Sequence, residues 1–185
     1  MYYRIFSKIY ERAAKKMCRW CQDFIKKGAK ILDLGCGSGI IGKTFQEIFQ
    51  ADLIGVDIDD KRISAIPFQL VDGENLPFPE NSFDVALINY VLHHSRDPIA
   101  LLNEAKRVTK DKIVIFEDLP EDILSKLICQ LHGISFDNFF GNHTKTSFKS
   151  ESDWEKIFKG LGLNIIFKKR VNNFPVKKEL FILCV

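Results

Sequence analysis

Asp33-Leu34-Gly35-Cys36-Gly37-Ser38-Gly39 decides how the rest of the chain is read. It follows a short apolar run, Lys30-Ile31-Leu32, and opens onto an amphipathic stretch marked by Ile40, Ile41, Phe45, Ile48 and Phe49. A strand, a glycine turn and a helix in this order grip a nucleotide-like ligand. The glycines let backbone approach the ligand, and the helix N-terminus offers free N–H groups. Asp33 is the unusual member. An acid ahead of the glycines repels a pyrophosphate and welcomes a cation.

Outward from the turn, the pattern alternates strands and helices. Apolar residues Ile5, Phe6, Ile9, Tyr10, Ala13, Met17, Trp20 and Phe24 recur at helical spacing ahead of the first strand. Ser38 is placed to cap the helix after the turn. Leu53–Val56, Phe68–Val71, the nearly all-apolar Phe83–Tyr90 and Ile113–Phe116 read as further strands, ending at Asp57, Asp72, Asn89 and Glu117-Asp118. Asp97-Pro98 predicts an N-cap with proline at the first helical position, before the stripe Leu101, Leu102, Ala105, Val108. Leu124, Leu127, Ile128 and Leu131 predict the stripe of another helix. Ser150-x-x-Asp153 predicts a capping box before Trp154, Ile157, Phe158 and Leu161. Asn164–Val171 and Glu179–Val185 read as two last strands, joined too tightly for a helical crossover and so antiparallel. The fold class expected is α/β and Rossmann-like: a mostly parallel seven-stranded sheet, helices on both faces, and an antiparallel last strand. The chain reads as a single domain over residues 1–185, with residues 1–27 as an N-terminal helical cap and 119–149 as a lid or substrate-covering insert.

Composition narrows the function. An apolar share of 46% with 28% charged residues is that of an ordinary globular chain, and no apolar run is long enough to cross a bilayer. The five cysteines are odd in number and scattered, as expected of reduced thiols in a cytoplasmic protein. Cys18-x-x-Cys21 has no second pair at metal spacing and reads as buried filler on one helix face, so no metal is expected. The net charge of +3 is uneven. Residues 1–30 hold nine Lys/Arg against two Asp/Glu, and residues 31–104 hold four against twelve. The acidic middle carries the glycine turn, which argues against a nucleic-acid channel there and suits a cationic ligand.

Two chemistries compete for the turn. Gly37-Ser38-Gly39-Ile40-Ile41-Gly42 matches G-x-G-x-x-G, and Asp57 follows Gly37 at the spacing of a dinucleotide fingerprint. On that spacing an NAD-binding protein is credible. Asp33 and the lack of a substrate domain in a short chain stand against it. The other reading is S-adenosylmethionine, whose sulfonium and ammonium are positive.

Here Ile31–Gly39 resembles the first motif of the class I S-adenosylmethionine-dependent methyltransferases of small-molecule type. Ile54-Gly55-Val56-Asp57-Ile58 resembles their second-strand motif. Asp72–Phe78 and Ser82–Val85 resemble the segments around the third and fourth strands, and Leu102–Val108 the helix that follows. The resemblance implies that the backbone of Gly35, Cys36, Gly37 and Gly39 lies along the methionine part and ribose. It implies that Asp33 orients the ammonium, Asp57 accepts both ribose hydroxyls, and Ile58 packs on the adenine. Asp72 would accept from the adenine amino group, Gly73 or Glu74 would supply backbone contacts, and Asn89 would lie beside the methionine moiety. Asp57 as a mere helix cap and Asp72 as a turn residue are the alternatives. Thr109-Lys110-Asp111-Lys112 stands where many members have a proline-glycine-glycine turn.

The resemblance further implies methyl transfer from S-adenosylmethionine, leaving S-adenosylhomocysteine, with alignment as the protein's main contribution. If the acceptor must lose a proton, His93, His94 or His143 is the candidate base. Tyr90 and Tyr10 are candidate aromatic walls able to favour a sulfonium. Asn89-Tyr90-Val91-Leu92 lacks the Pro-Pro-Tyr of amino-directed base methylation and the Pro-Cys of cytosine attack. A small, partly apolar acceptor is therefore expected, with no nucleic-acid partner, no membrane span, and a monomeric or homodimeric state. Protein or RNA methylation and non-catalytic cofactor binding remain the alternatives.

Overall fold

The computed structural model describes residues 2–73, 75–129, 131, 147–172 and 176–185. In chain order the elements are α1 (Tyr2–Cys21), β1 (Lys30–Leu34), α2 (Ile40–Phe49), β2 (Asp52–Asp57), β3 (Phe68–Leu70), β4 (Phe83–Asn89), α3 (Pro98–Val108) and β5 (Thr109–Leu119). They continue with a helical stretch over 123–129 (α4), α5 (Glu151–Gly160), β6 (Asn164–Asn172) and β7 (Lys177–Cys184). One seven-stranded sheet runs in the order β3-β2-β1-β4-β5-β7-β6. Only β7 is reversed, pairing antiparallel with both β5 and β6. This is the expected fold class, with the reversed strand seated between β5 and β6.

Strand alternation divides the core into two layers, because successive side chains face opposite sides of the sheet. Leu32, Ala86, Ile88, Ile113 and Ile115 pack against Leu101, Leu102 and Ala105 of α3 and against Trp154 and Phe158 of α5. On the other face Ile31, Val85, Leu87, Val114 and Phe116 meet Met17, Cys18 and Cys21 of α1 and Phe45 and Phe49 of α2. The Cys18 and Cys21 thiols are buried in that layer as expected, and burial pushes the Cys18 thiol up to about 12.

Local chemistry explains most boundaries. The Asp97 carboxylate accepts from Ile99 N–H (2.9 Å) and Ala100 N–H (3.0 Å), and Pro98 starts α3. Ser150 Oγ accepts from Asp153 N–H (3.2 Å) at the start of α5. Arg107 forks onto Glu104 and donates to the carbonyls of Leu76 (2.9 Å) and Phe78 (2.8 Å), while Glu104 accepts from Leu76 N–H (2.8 Å). That network pins the Leu76–Phe78 loop to α3. Thr109 is at once the C-cap of α3 and the first residue of β5, so the missing proline-glycine-glycine turn is replaced by a direct passage from helix to strand.

Gly39 rather than Ser38 holds the N-cap position of α2, in the left-handed region (φ 73°), but Ser38 Oγ still accepts from Ile40 N–H (3.4 Å), the first N–H of the helix. The Ser38 carbonyl also accepts from Ile63 N–H (2.9 Å) and Ser64 N–H (3.2 Å), which folds the helix-free β2–β3 connection back onto the glycine turn. The apolar stripe of α4 lies mostly outward, with Ile128 partly buried. Ser125 and Cys129 are buried, whereas Leu124, Leu127 and Leu131 are each more than half exposed. Within the expected lid, residues 130 and 132–146 lie outside the described residues.

Replacing Asp97 by Ala removes both cap bonds and should cost about 1 kcal/mol, lowering Tm by about 2–4 °C. Asp97→Asn should retain most of that stability in the same thermal-denaturation measurement.

Candidate functional site

The strand order reverses between β1 and β4, which lie side by side and parallel, with Leu34 opposite Ile88. The loops leaving these two strands must therefore diverge to opposite faces and open a crevice between them. The glycine turn leaves β1 on one side of that crevice, and Asn89–His94 leaves β4 on the other.

Gly35, Gly37 and Gly39 all adopt positive φ (74°, 50° and 73°), which explains the alternation of glycine in the turn. A Cβ on Gly35 would also come within 2.5 Å of Val91 Cγ2, so β4's following loop closes directly over the turn. Gly35 N–H (2.9 Å) and Cys36 N–H (3.1 Å) donate to the Val56 carbonyl. Cys36 is buried, its sulfur against Gly55, so it offers the crevice backbone only.

Asp57, at the end of β2, spreads its carboxylate over this backbone. Oδ2 accepts from Gly37 N–H and Oδ1 from Ile58 N–H, both at 2.8 Å. Burial holds its carboxyl above the ordinary value despite these bonds. Each oxygen keeps a further lone pair for a hydroxyl donor. Ile58 is 47% exposed, and a Cβ on Gly73 (φ 83°) would stand 3.1 Å from its Cγ2, so the Gly73 backbone packs directly against the Ile58 side chain. Asp72 Oδ1 accepts from Asn75 N–H (2.9 Å), closing a turn next to that contact. Glu74 and His143 lie outside the described residues.

Asp33 is 1% exposed and faces the α2 side of the sheet. Its Oδ1 accepts from Asn89 Nδ2 (3.3 Å), and its Oδ2 is wedged against Gly42, where a Cβ would stand 2.5 Å away. The third glycine of the G-x-G-x-x-G match thus makes room for this acid. Burial outweighs the Asn89 hydrogen bond and pushes the Asp33 carboxyl up to about 7. Among the described residues, Asp33 Oδ2 and Asn89 Oδ1 are buried acceptors with no hydrogen-bond partner, although the Gly42 backbone lies close enough to Asp33 to lower its carboxyl a little. A buried polar group left unpaired is costly, and two acceptors together call for a positively charged or donor-rich ligand.

Across the crevice the two expected histidines remain in ring contact and differ in burial. Leu92–His94 form one 3₁₀ turn; His93 is buried, His94 is half-buried, and their rings lie 4.1 Å apart. His93 Nδ1 contacts Glu117 Oε1, and its ring stacks on Phe148 at 4.7 Å. Burial pulls the His93 imidazolium pKa down, but the charge and hydrogen bond of Glu117 more than offset it, and the net shift is upward. Glu117 lies opposite Glu179 in the β5–β7 register, and both are buried. The pairing of Glu117 with His93 is absent from the sequence reading. An acid directly after the apolar run Ile113–Phe116 marks a strand end, but which neighbour it meets depends on the β4–β5 register.

Tyr90 has a left-handed backbone (φ 60°), rare for an aromatic residue, and places Lys178 Nζ 4.4 Å from its ring centroid. One cation on that ring is therefore a lysine of β7, which is paired in turn with Asp118.

A family profile described as a methyltransferase domain matches residues 7–167. An uncharacterized methyltransferase of Schizosaccharomyces pombe is 35% identical over 106 residues, covering 47% of this chain and 38% of that protein. The uncharacterized methyltransferase YcgJ of Bacillus subtilis is 28% identical over 145 residues, covering 70% and 54%. A ubiquinone/menaquinone biosynthesis C-methyltransferase of Burkholderia cenocepacia is 34% identical over 100 residues, covering 46% and 41%. The chain thus spans about half or less of the length of these curated relatives. Among solved structures, the PH0226 protein of Pyrococcus horikoshii aligns with a TM-score of 0.74 at 20% identity, over 99% of this chain and 97% of that one. Magnesium protoporphyrin IX methyltransferase of Synechocystis, solved with bound S-adenosylhomocysteine, aligns with a TM-score of 0.71 at 16% identity, over 94% and 82%. These likenesses carry the fold, and the profile match carries the lineage: the chain belongs to the methyltransferase domain family, with the architecture of its class I S-adenosylmethionine-dependent members.

Proposed function

We propose that this domain binds S-adenosylmethionine in the crevice between β1 and β4 and transfers its methyl group to a small organic acceptor. The observation that carries the reading is the pair of buried acceptors without donors, Asp33 Oδ2 and Asn89 Oδ1, beside a turn of three positive-φ glycines. A dinucleotide pyrophosphate would meet that carboxylate unfavourably, whereas an amino-acid ammonium supplies the missing donors.

The remaining residues fit the same ligand. Asp57 keeps free lone pairs for the two ribose hydroxyls while it braces Gly37 and Ile58. The exposed side chain of Ile58 offers an apolar face for a flat adenine, with Asp72 nearby for the exocyclic amine. Gly35, Cys36, Gly37 and Gly39 present backbone rather than side chains along the ribose and methionine part, and Asn89 and Tyr90 border its far end. The bound cofactor supplies a methyl group already activated on a sulfonium. The chain's own task is to hold the acceptor in line and keep water out.

His93 and His94 border the acceptor side. Glu117 at Nδ1 selects the neutral tautomer with its proton on that nitrogen, an assignment made from the hydrogen-bond partner, and leaves Nε2 to receive a proton from the acceptor. Because Glu117 also holds the imidazole's pKa up, His93 serves as a base only above that raised value. His94 is the alternative base, and His143 keeps the same proposal from the sequence. Relatives and neighbours named for quinone biosynthesis and for magnesium protoporphyrin IX support a small, largely apolar acceptor. The free cysteines suit a reducing compartment, and we place the domain in the cytoplasm as a monomer or homodimer.

Isothermal titration should detect S-adenosylhomocysteine binding and no NAD binding; the reverse result overturns the reading. Asp57→Ala removes two charge-assisted hydrogen bonds to the ribose and should weaken S-adenosylhomocysteine by at least ~30-fold. Unchanged affinity in a variant that melts like the parent would refute the ribose assignment.

The raised carboxyl of Asp33 gives a pH signature. The folded state holds this proton more tightly than the unfolded chain, so stability contributed by the protonated form is lost as pH rises from about 4 through about 7. A bound ammonium favours the ionised form, so ligand binding must expel the proton below pH 7. Affinity for S-adenosylhomocysteine should therefore climb between pH 6 and 8, by up to about tenfold per unit below the shifted value. Asp33→Asn should flatten this profile and remove the alkaline loss of stability; a pH-independent affinity in the parent protein would sink the assignment.

A further inference from the structure

One buried ammonium ties together the two ends of the connection between β5 and α5. Lys177, the first residue of β7, is 5% exposed. Its Nζ donates to Glu121 Oε1 (2.6 Å), just after β5, and to Glu151 Oε2 (2.5 Å), the first residue of α5. The other oxygen of Glu151 accepts from Lys168 of β6 (2.5 Å). Exposed ion pairs contribute little, but an ammonium withdrawn from water has to keep its partners. Burial pulls the Lys177 ammonium down, but its bonds to Glu121 and Glu151 outweigh that and the net shift is upward. Lys168 and Lys177 together hold the Glu151 carboxyl down at about 2. Lys177 and Glu151 therefore stay charged, and paired, across the neutral range.

Just ahead of Glu151 the chain reaches His93. Ser147 N–H donates to the His93 carbonyl (2.9 Å), and the Phe148 ring is stacked on the His93 imidazole, with centroids 4.7 Å apart and planes at 21°. Residues 147–151 thus form a strap from the loop after β4 to the start of β7, with β5 between the two strands in the sheet. Two strand spacings are about 10 Å, and four residue steps reach at most about 14 Å. With so little slack, the place of Glu151 limits the place of Phe148. Glu117 meets the imidazole at Nδ1 alone, and a ring held at one nitrogen can still swing about that contact. A second surface lying along its plane removes that freedom. The other charged groups about this ring are Asp118 of β5 and Lys178 of β7, which belong to neither the strap nor its anchor.

We propose that Lys177 is a positioning residue for His93, acting through the 147–151 strap. By fixing Glu151 it seats Phe148 against the imidazole, and so sets where Nε2 points. The use of that aim in methyl transfer rests on the acceptor-side role proposed for His93 above.

Long-range proton–nitrogen correlation spectra of the imidazoles in the full chain test the proposal, read above the titration midpoint of His93. In the parent, the neutral His93 ring should carry its proton on Nδ1, facing Glu117. Lys177→Met would strand buried carboxylates, so the strap is released at its other end. Glu151→Gln leaves Lys177 with Glu121, and should let the Nε2–H tautomer of His93 grow to about one-fifth or more. Phe148→Ala should do the same. Lys177→Arg, which keeps a cation between the two carboxylates, should retain the parent tautomer. Glu155→Gln removes the second carboxylate of Lys168 without touching the strap, and should also leave His93 as it is. A parent-like His93 in Glu151→Gln overturns the proposal, even where Phe148→Ala moves it, because the anchor is then idle. An equal change in Glu155→Gln overturns it too, since any loosening of α5 then suffices, and so does a mixed tautomer in the parent. The readout needs neither cofactor nor acceptor, so its failure is distinct from a failure of S-adenosylmethionine binding, which the calorimetric titration reads.

Discussion

The Asp57 carboxylate is the point on which the rest of the site depends. One oxygen holds Gly37 N–H, and the other holds Ile58 N–H, so the loop after β1 is tied to the end of β2. The Val56 carbonyl reinforces the tie by accepting from Gly35 and Cys36. Without side chains at Gly35, Gly37 and Gly39, the turn has no packing of its own to hold it open. Its shape is a consequence of these few hydrogen bonds and of Val91 pressing on Gly35 from the other side of the crevice. A rigid cradle of bare backbone follows, which is what a ligand bound by close approach requires.

Electrostatics then fills the cradle's floor. Asp33 is carried into the interior by the register of β1 and is partnered through only one oxygen. Burial is the main cause of its raised protonation range, and under the proposed function a positively charged ligand would complete the pairing. Across the crevice His93 Nδ1 and Glu117 Oε1 pair in a buried setting against Phe148, while Glu117 Oε2 has no hydrogen-bond partner among the described residues.

The fold around this site is economical. The β2–β3 connection carries no helix and instead folds back onto Ser38 through two backbone hydrogen bonds. Ile66 fills the space between Gly39, Gly42 and Gly55, so one aliphatic side chain supports the glycine turn and the middle of β2 together. The Glu104–Arg107 fork does the corresponding work for the Leu76–Phe78 loop, which explains why charged residues recur on the last turns of α3.

The sequence by itself determined the strand and helix order, the glycine turn and the acids at strand ends, because period, capping chemistry and positive-φ positions are local properties of the chain. Asp97-Pro98, Ser150-x-x-Asp153 and the apolar run of β4 were legible for that reason. Only the tertiary structure decided which side chains meet: that Gly42 yields its space to Asp33, that Glu117 finds His93, and that Lys178 lies over Tyr90. These contacts join residues far apart in the chain and depend on strand register, which no local signal encodes. The same holds for α4. A row at four-residue spacing names a helix and one of its faces, but whether that face turns inward is set by what the neighbouring elements leave to cover, and here they cover Ser125 and Cys129 instead.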